Sequence, residues 1–194
     1  MVRKLVALVF VLLSGCGGPS GAPETFLTTD VTGADFARDF SLTDHNGKSR
    51  SLADFKGRVV VVFFGFTHCP DICPTTLGEL ALALKKMGAD AKDIQVLFVT
   101  IDPERDTQQA LAQYVTAFDP GFLGLRGSPE ETQAIAKEFK VVSQKQGAGE
   151  NYSMDHSAGA YLFDPRGRLR LYATPGQKAD ALAHDIKLLL AKQT

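Results

Sequence analysis

The sequence predicts an α/β protein, a three-layer α/β/α sandwich around a mixed central sheet with an N-terminal β-hairpin. Two runs, Val59 to Phe66 and Ile94 to Ile101, are apolar almost throughout and lack the polar alternation of a half-exposed strand, so both are expected to lie in the middle of a sheet covered on each side. Segments with apolar residues at helical spacing follow each run, and strands alternating with helices give a layered α/β architecture. No segment repeats, so a single domain is expected.

Taken in order, the stretch from Cys16 to about Thr32 is rich in Gly, Pro, Ser and Thr and has no apolar periodicity. Residues 16–34 therefore read as a flexible tether and 35–194 as the folded domain. Phe40, Leu42, the turn signal Asn46-Gly47, Arg50 and Leu52 predict the small hairpin, which leads through Ala53 to Gly57 into the first buried strand. From Pro74 onward Leu77, Leu80, Leu84 and Met87 recur at helical spacing and Gly88 closes the segment; Pro74 fits the first helical position and Cys73 the N-cap. After the second buried strand, Asp106 is expected to cap a helix carrying Leu111, Tyr114, Val115 and Phe118, and Phe122 to Leu125 is a short strand. Ser128-Pro129-Glu130-Glu131 is a capping box that opens a helix carrying Ile135 and Phe139. Val141 to Met154 is polar and contains glycine, so it reads as a loop delivering Asp155-His156-Ser157 to the start of a strand through Tyr161 and Phe163. A turn at Pro165-Arg166-Gly167 returns Leu169 to Tyr172 as an antiparallel partner, and Lys178 to Lys192 is the last helix. This order of elements resembles a thioredoxin-like fold.

At the N-terminus Arg3 and Lys4 precede an uncharged run from Leu5 to Leu13, the pattern of a signal peptide. The run is far shorter than the ~20 apolar residues of a membrane-spanning helix. It ends in Leu13-Ser14-Gly15-Cys16, which resembles the lipobox of bacterial lipoproteins, making residues 1–15 a lipoprotein signal peptide and Cys16 the lipidated first residue. The plainer alternative is a secretory signal with an incidental cysteine. On either reading the domain is exported, and on the first it is held by lipid to a membrane, in the periplasm or on the outer face of the cell. Removal of residues 1–15 takes two of the 21 basic residues and none of the 22 acidic ones, leaving a net charge of −3. A chain with that charge and no large basic patch lacks the electrostatic footprint of a nucleic-acid-binding protein.

With Cys16 assigned to the anchor, Cys69 and Cys73 remain as an isolated pair in an oxidising compartment, either a structural disulfide or a working dithiol. The chain is long enough to bury an ample core without a staple, and a bridge this short constrains little of the unfolded chain, so the dithiol is favoured. The two thiols stand at a strand-to-helix turn with three residues between them, one more than in C-x-x-C, which leaves room for a metal ion between the sulfurs as well as for a disulfide. The proline after each cysteine biases both toward extended geometry, outside regular helix. Amide donors and the positive end of the helix dipole are then expected to favour a thiolate at Cys73. A firm copper or zinc site needs a third donor. His156 begins a strand at the rim of the sheet; His68 adjoins Cys69 and is expected to point to the opposite side; His45 in the hairpin turn and His184 on the last helix read as surface residues. Position alone ranks His156 first without deciding the matter.

Three segments decide it by resemblance. Phe64-Gly-Phe-Thr-His-Cys-Pro-Asp-Ile-Cys-Pro-Thr75, Thr100-Ile-Asp-Pro-Glu-Arg-Asp-Thr107 and Asp155-His-Ser-Ala-Gly-Ala-Tyr-Leu-Phe-Asp164, in this order, resemble the Sco/SenC/PrrC family over roughly Asp35 to the C-terminus. The resemblance implies an exported, membrane-tethered, thioredoxin-like copper chaperone for cytochrome c oxidase assembly, with one copper ion per chain on Cys69, Cys73 and His156. It implies as partners a copper-binding subunit of cytochrome c oxidase, receiving the ion at its Cu(A) centre, with an upstream periplasmic copper donor and a thiol reductant. A lipid on Cys16 stands where mitochondrial members carry a membrane helix. The chemistry agrees, since thiolates suit Cu(I) and imidazole also suits Cu(II), with zinc a competitor. The segment Val141 to Met154 is expected to open the site for exchange. Asp155 is expected either to orient the imidazole as an acceptor or to be a solvated capping group, and Asp71 to tune the site by charge. Asp102, Glu104, Arg105 and Asp106 are expected to build the turn after the second strand, away from copper. The main rival is a thiol-disulfide oxidoreductase in which Cys69 and Cys73 keep the oxidase cysteines reduced. A peroxiredoxin-type peroxidase is disfavoured because its P-x-x-x-T-x-x-C pattern is missing: Phe66 and Pro70 stand at the threonine positions relative to Cys69 and Cys73. Catalytic turnover is not expected beyond that reductase activity.

Overall fold

A computed structural model of the chain describes residues 25–149 and 152–191. A first strand, β1 (Thr29–Asp30), precedes the hairpin of β2 (Leu42–Asp44) and β3 (Ser49–Arg50), and a 3-10 turn at Leu52–Phe55 leads into β4 (Val59–Gly65). Helix α1 (Ile72–Met87), β5 (Ile94–Thr100), α2 (Gln108–Thr116), β6 (Leu123–Arg126) and α3 (Pro129–Glu138) follow in alternation. A second hairpin, β7 (Ser143–Gln146) and β8 (Ser153–His156), comes before β9 (Ala160–Phe163), β10 (Leu169–Ala173) and α4 (Ala179–Ala191). The main sheet has the order β1-β10-β9-β4-β5-β6-β2-β3, and β7 with β8 forms a separate two-stranded sheet.

The sheet is mixed, as the sequence predicts. β4, β5 and β6 are parallel, while β9 runs antiparallel to β4 and β2 antiparallel to β6. Both faces of β4 are buried because alternate residues enter two different cores. Val59, Val61 and Phe63 pack with Leu77, Leu80, Leu111, Val115, Leu182 and Ile186 from α1, α2 and α4. Val60, Val62 and Phe64 pack with Phe55, Ile135, Phe139 and Tyr161 on the opposite face, under α3. Each such side chain contributes about 1.5–3 kcal/mol by leaving water, which is why the two continuous apolar runs occupy the centre of the sheet.

Register sets the functional end. Gly65 lies opposite Thr100 where β4 and β5 both finish, and Ala160 at the start of β9 lies opposite Phe63. The turn after β4, the segment after β5 and the approach to β9 therefore meet at one edge of the sandwich.

Four local expectations are corrected. Helix α1 starts at Ile72 with Asp71 at its N-cap, so Cys73 lies inside the first turn, fully buried, instead of capping the helix. Thr107 caps α2 by accepting from the Ala110 amide at 3.1 Å; Asp106 is unavailable because its carboxylate is buried against other donors. The segment Val141 to Met154 contains a strand and belongs to a hairpin, with Ser143 opposite His156, so His156 ends β8 and does not begin the strand of Tyr161. Strands that are polar on both faces have no apolar period, and their sequence reads as loop. The fourth correction concerns the tether. Residues 27–30 belong to the fold: the Leu27 and Thr28 amides and the Thr28 hydroxyl all donate to the buried Asp185 carboxylate at 2.7–2.8 Å, and β1 pairs with β10. The expected signal peptide and Cys16 lie outside the described residues. Among the described residues no helix is long and apolar enough to cross a membrane.

Replacing Asp185 with Ala removes the acceptor shared by three donors at the N-terminal strand. The expected cost is about 2–4 kcal/mol, read as a lower midpoint in denaturant unfolding. An unchanged midpoint would show that docking of this strand contributes nothing to stability.

Candidate metal centre

The chain leaves β4 at Gly65 and turns through Phe66 to Asp71 before entering α1. The Cys69 amide donates to the Phe66 carbonyl at 3.2 Å and closes this turn. The turn is fastened from below by Asp106, a fully buried carboxylate that accepts from the Thr67 amide at 3.0 Å, the Thr67 hydroxyl at 2.6 Å and the Thr100 hydroxyl at 2.6 Å. Gly65 makes room for the second sulfur. A Cβ at that position would stand 2.7 Å from Cys73 Sγ and 2.7 Å from Phe98 Cε2, so any larger residue displaces the thiol or the ring.

The third donor arrives on the second hairpin. His156 Nδ1 lies 2.9 Å from the Ser157 carbonyl and donates to it, which leaves the lone pair on Nε2, 3.8 Å from Cys73 Sγ. The Phe66 ring meets the imidazole edge-on at 5.9 Å. One ligand atom from each of Cys69, Cys73 and His156 lies within 4.8 Å of the others, and among the described residues this is the one such group of metal-binding side chains. Both cysteines are free thiols. Two sulfurs and an imidazole nitrogen are a donor set suited to copper, and the residues fit one ion.

The hairpin is clamped by the segment after β5. Tyr152 donates to Asp102 Oδ1 at 2.5 Å, and Arg105 bridges Asp102 Oδ2 at 2.6 Å and the Tyr152 carbonyl at 2.8 Å while its guanidinium lies 3.6 Å from the centre of the Tyr152 ring. Lys145 adds a contact to Glu104 at 2.9 Å. Residues 102–106 thus hold both walls, Asp106 the cysteine turn and Asp102 with Arg105 the histidine hairpin. Sequence reasoning assigned them only to a turn. Tyr152 was missed outright, and no local signal marks it, because its partner Asp102 is 50 residues away.

Electrostatics corrects the expectation of a ready thiolate at Cys73. Burial pushes this thiol far above the usual range; the Phe66 amide, which donates to the sulfur, opposes the shift, and the neighbouring Cys69 and Asp106 add to it. One turn of helix dipole does not offset removal of the sulfur from water. Cys73 accordingly keeps its proton until a cation takes its place. Burial also lowers the pKa of His156, opposed by its bond to the Ser157 carbonyl and by Asp155, so at neutral pH the imidazole is neutral and able to ligate.

Other expected contributors separate. Asp155 is exposed and accepts from Gln146 Nε2 at 2.8 Å, on the opposite side of β8 from His156, and the imidazole uses the Ser157 carbonyl as acceptor in its place. Asp71 is exposed and accepts from the Thr75 hydroxyl at 3.3 Å. His68 turns away toward the Thr67 hydroxyl, as expected, with 56% of its side chain exposed. His184 contacts the Thr25 carbonyl at the surface. His45 is more than a surface residue: half-buried, it accepts the Gly124 amide at 3.0 Å and ties the first hairpin to β6.

This architecture has close relatives. A family model described as SCO1/SenC matches residues 28–191. The "Protein SCO2 homolog, mitochondrial" of Bos taurus is 39% identical over 157 residues, which is 79% of this chain and 59% of the relative, so the chain spans well under two thirds of that protein's length. The crystal structure of Arabidopsis thaliana ScoI with copper bound superposes with a TM-score of 0.74 at 35% identity, covering 79% of this chain and 97% of that one. The solution structure of apo Sco1 from Thermus thermophilus gives a TM-score of 0.78 at 40% identity, covering 88% of this chain and all of that one. With a matching family model over most of its length, matching neighbours in three dimensions and the three-donor group in place, the chain belongs to the SCO1/SenC family.

Proposed function

We propose that this protein carries one copper ion on Cys69, Cys73 and His156 and passes it by ligand exchange to the copper-binding subunit of cytochrome c oxidase for assembly of the Cu(A) centre, after receiving it from an upstream periplasmic donor. The convergence of two thiols and a neutral imidazole within 4.8 Å is the observation that carries this reading. The copper-bound state of the similar Arabidopsis protein supports it. The domain is exported behind a signal peptide at residues 1–15 and held to the membrane by a lipid on Cys16, which keeps it near a membrane-embedded recipient.

Copper is the cargo, and the residues divide its handling. Both thiols lose their protons as the ion binds, so loading releases protons and is favoured by rising pH. Cys73 is the buried sulfur and Cys69 the half-buried one, so an incoming donor or recipient ligand reaches the ion from the Cys69 side. His156 rides on a two-stranded hairpin outside the main sheet, so it is the ligand that can be withdrawn without opening that sheet.

The free dithiol favours a second reading, a thiol-disulfide reductase that prepares the oxidase cysteines. Cys69, the accessible sulfur, attacks a target disulfide as thiolate and forms a mixed disulfide. Cys73 then gives up its proton and attacks Cys69, releasing the reduced target dithiol and leaving a Cys69–Cys73 disulfide for an external thiol to reset.

Substituting His156 by Ala is expected to spare the dithiol yet weaken Cu(II) binding and bleach the thiolate-to-copper absorption. Undiminished absorption in that variant removes His156 from the site. Copper and oxidation should also exclude each other, because a disulfide has no thiolate to offer. In alkylation mass spectrometry, the copper-loaded protein is expected to resist disulfide formation under an oxidant that converts the metal-free protein; equal conversion of both sinks the shared-sulfur arrangement.

A cellular test separates the two readings. Cells lacking the protein, and cells carrying His156→Ala, are expected to recover oxidase assembly with added copper and not with a small-molecule thiol. Normal oxidase activity of the His156→Ala strain in copper-limited medium would favour the reductase.

A further inference from the structure

The hairpin that carries His156 buries little of itself. Among the described residues from Val142 to Ser157, Tyr152 alone is buried, with 7% of its surface exposed; Met154 and His156 are half-buried and all four residues of β7 are exposed. A two-stranded hairpin is marginally stable at best on its own in water, so its place over the copper site depends on its attachments. At its base the Ser157 amide donates to the Val142 carbonyl at 2.9 Å, and the Val142 amide to the Ser157 hydroxyl at 3.2 Å. At its tip stands Tyr152, four residues before His156 and about 13 Å from it along an extended chain. The Tyr152 hydroxyl donates to Asp102, and Arg105 closes the contact by donating to the Tyr152 carbonyl. The cysteine wall is fastened elsewhere, through Thr67 and Thr100 on Asp106. One wall can therefore loosen while the other stays in place.

We infer that Tyr152 is the positioning residue for His156: its hydroxyl latches the tip of the hairpin to Asp102, and this latch sets how firmly Cu(II) is held and how fast it is handed on, while Cu(I) is left to the two cysteines. This inference rests on the copper reading above. Two thiolates suit Cu(I) without help, whereas Cu(II) draws on the imidazole. Transfer of Cu(II) begins when the bond from His156 Nε2 to the ion breaks and an incoming donor takes its place, with no electron moved. Tyr152 does not touch the ion; it acts through the strand, because Tyr152, Met154 and His156 alternate onto one face of it. Lys145 and Glu104 form a second contact between the hairpin and the segment after β5, but both side chains are largely solvated and such a pair holds little. The buried phenol-to-carboxylate bond is the stronger fastening.

The test is Tyr152→Phe in the otherwise unaltered chain, which keeps the ring beside Arg105 and Lys145 and removes only the hydroxyl. Glu104→Gln, which cuts the exposed pair on the same hairpin, serves as the control. Cu(I) and Cu(II) are each titrated against a competing chelator, the rate at which the chelator removes Cu(II) is followed by absorption, and hydrogen exchange of the β7 and β8 amides is measured on the metal-free proteins. In Tyr152→Phe the hairpin amides are expected to exchange about tenfold faster, and Cu(II) to bind about tenfold more weakly and leave faster. Cu(I) affinity should not change, and Glu104→Gln should match the parent throughout. Equal weakening of both oxidation states overturns the inference, since Tyr152 would then support the whole site. Unchanged Cu(II) binding, or weaker Cu(II) binding with unchanged hairpin exchange, overturns it while leaving the copper reading intact. A Glu104→Gln protein that loosens Cu(II) as much overturns it too, because any weakening of the hairpin would then suffice. Failure of the parent protein to bind copper sinks the copper reading and this inference with it.

Discussion

The buried carboxylate of Asp106 is the constraint around which the functional end of this molecule is arranged. A charge removed from water survives only where donors surround it, and here they come from Thr67 in the cysteine turn and Thr100 at the end of β5. Satisfying that one group draws the turn after β4 down over the end of the sheet. Cys69 follows two residues later and Cys73 enters the helix directly above Gly65. Neighbouring Asp102 does the same for the other wall by holding Tyr152 and Arg105, and so sets the hairpin that ends at His156. Five consecutive residues thereby convert the rigidity of a central strand into the placement of three ligands.

The same burial that orders the site also sets its chemistry. Cys73 is a poor thiolate while the site holds no cation, and copper binding is an exchange of protons for a metal in a region with little water. A site of this kind has two stable conditions, protonated or metallated, and a third, disulfide-bonded, that competes with the second for the same sulfurs. The proposed copper carriage and the proposed thiol exchange therefore draw on one pair of sulfurs and differ in whether His156 takes part.

The central sheet was readable from sequence because its signals are local. Val59–Gly65 is apolar throughout and Ile94–Thr100 is apolar but for Gln95 and Thr100, and a strand without polar alternation has one place to go. The Ser128 and Glu131 capping box formed as expected, since both partners lie within one turn. The hairpin of β7 and β8 escaped detection because its residues are polar on both sides and its pairing is stabilised by clamps from Asp102, Glu104 and Arg105, far away in the chain. The strand at Thr29–Asp30 escaped for a related reason: a Gly- and Thr-rich approach reads as tether until Asp185, more than 150 residues later, supplies its acceptor.

The sequence by itself determined the donor types, their spacing on the cysteine turn and, through three motifs in order, the family. Those are properties of residue identity and short-range separation. Only the tertiary structure decided that Cys73 is buried within the helix and keeps its proton, that the Ser157 carbonyl orients His156 in place of Asp155, and that residues 102–106 hold the two walls together. Burial, and pairing between residues 39 to 83 positions apart, depend on how the layers stack, and no local pattern encodes that.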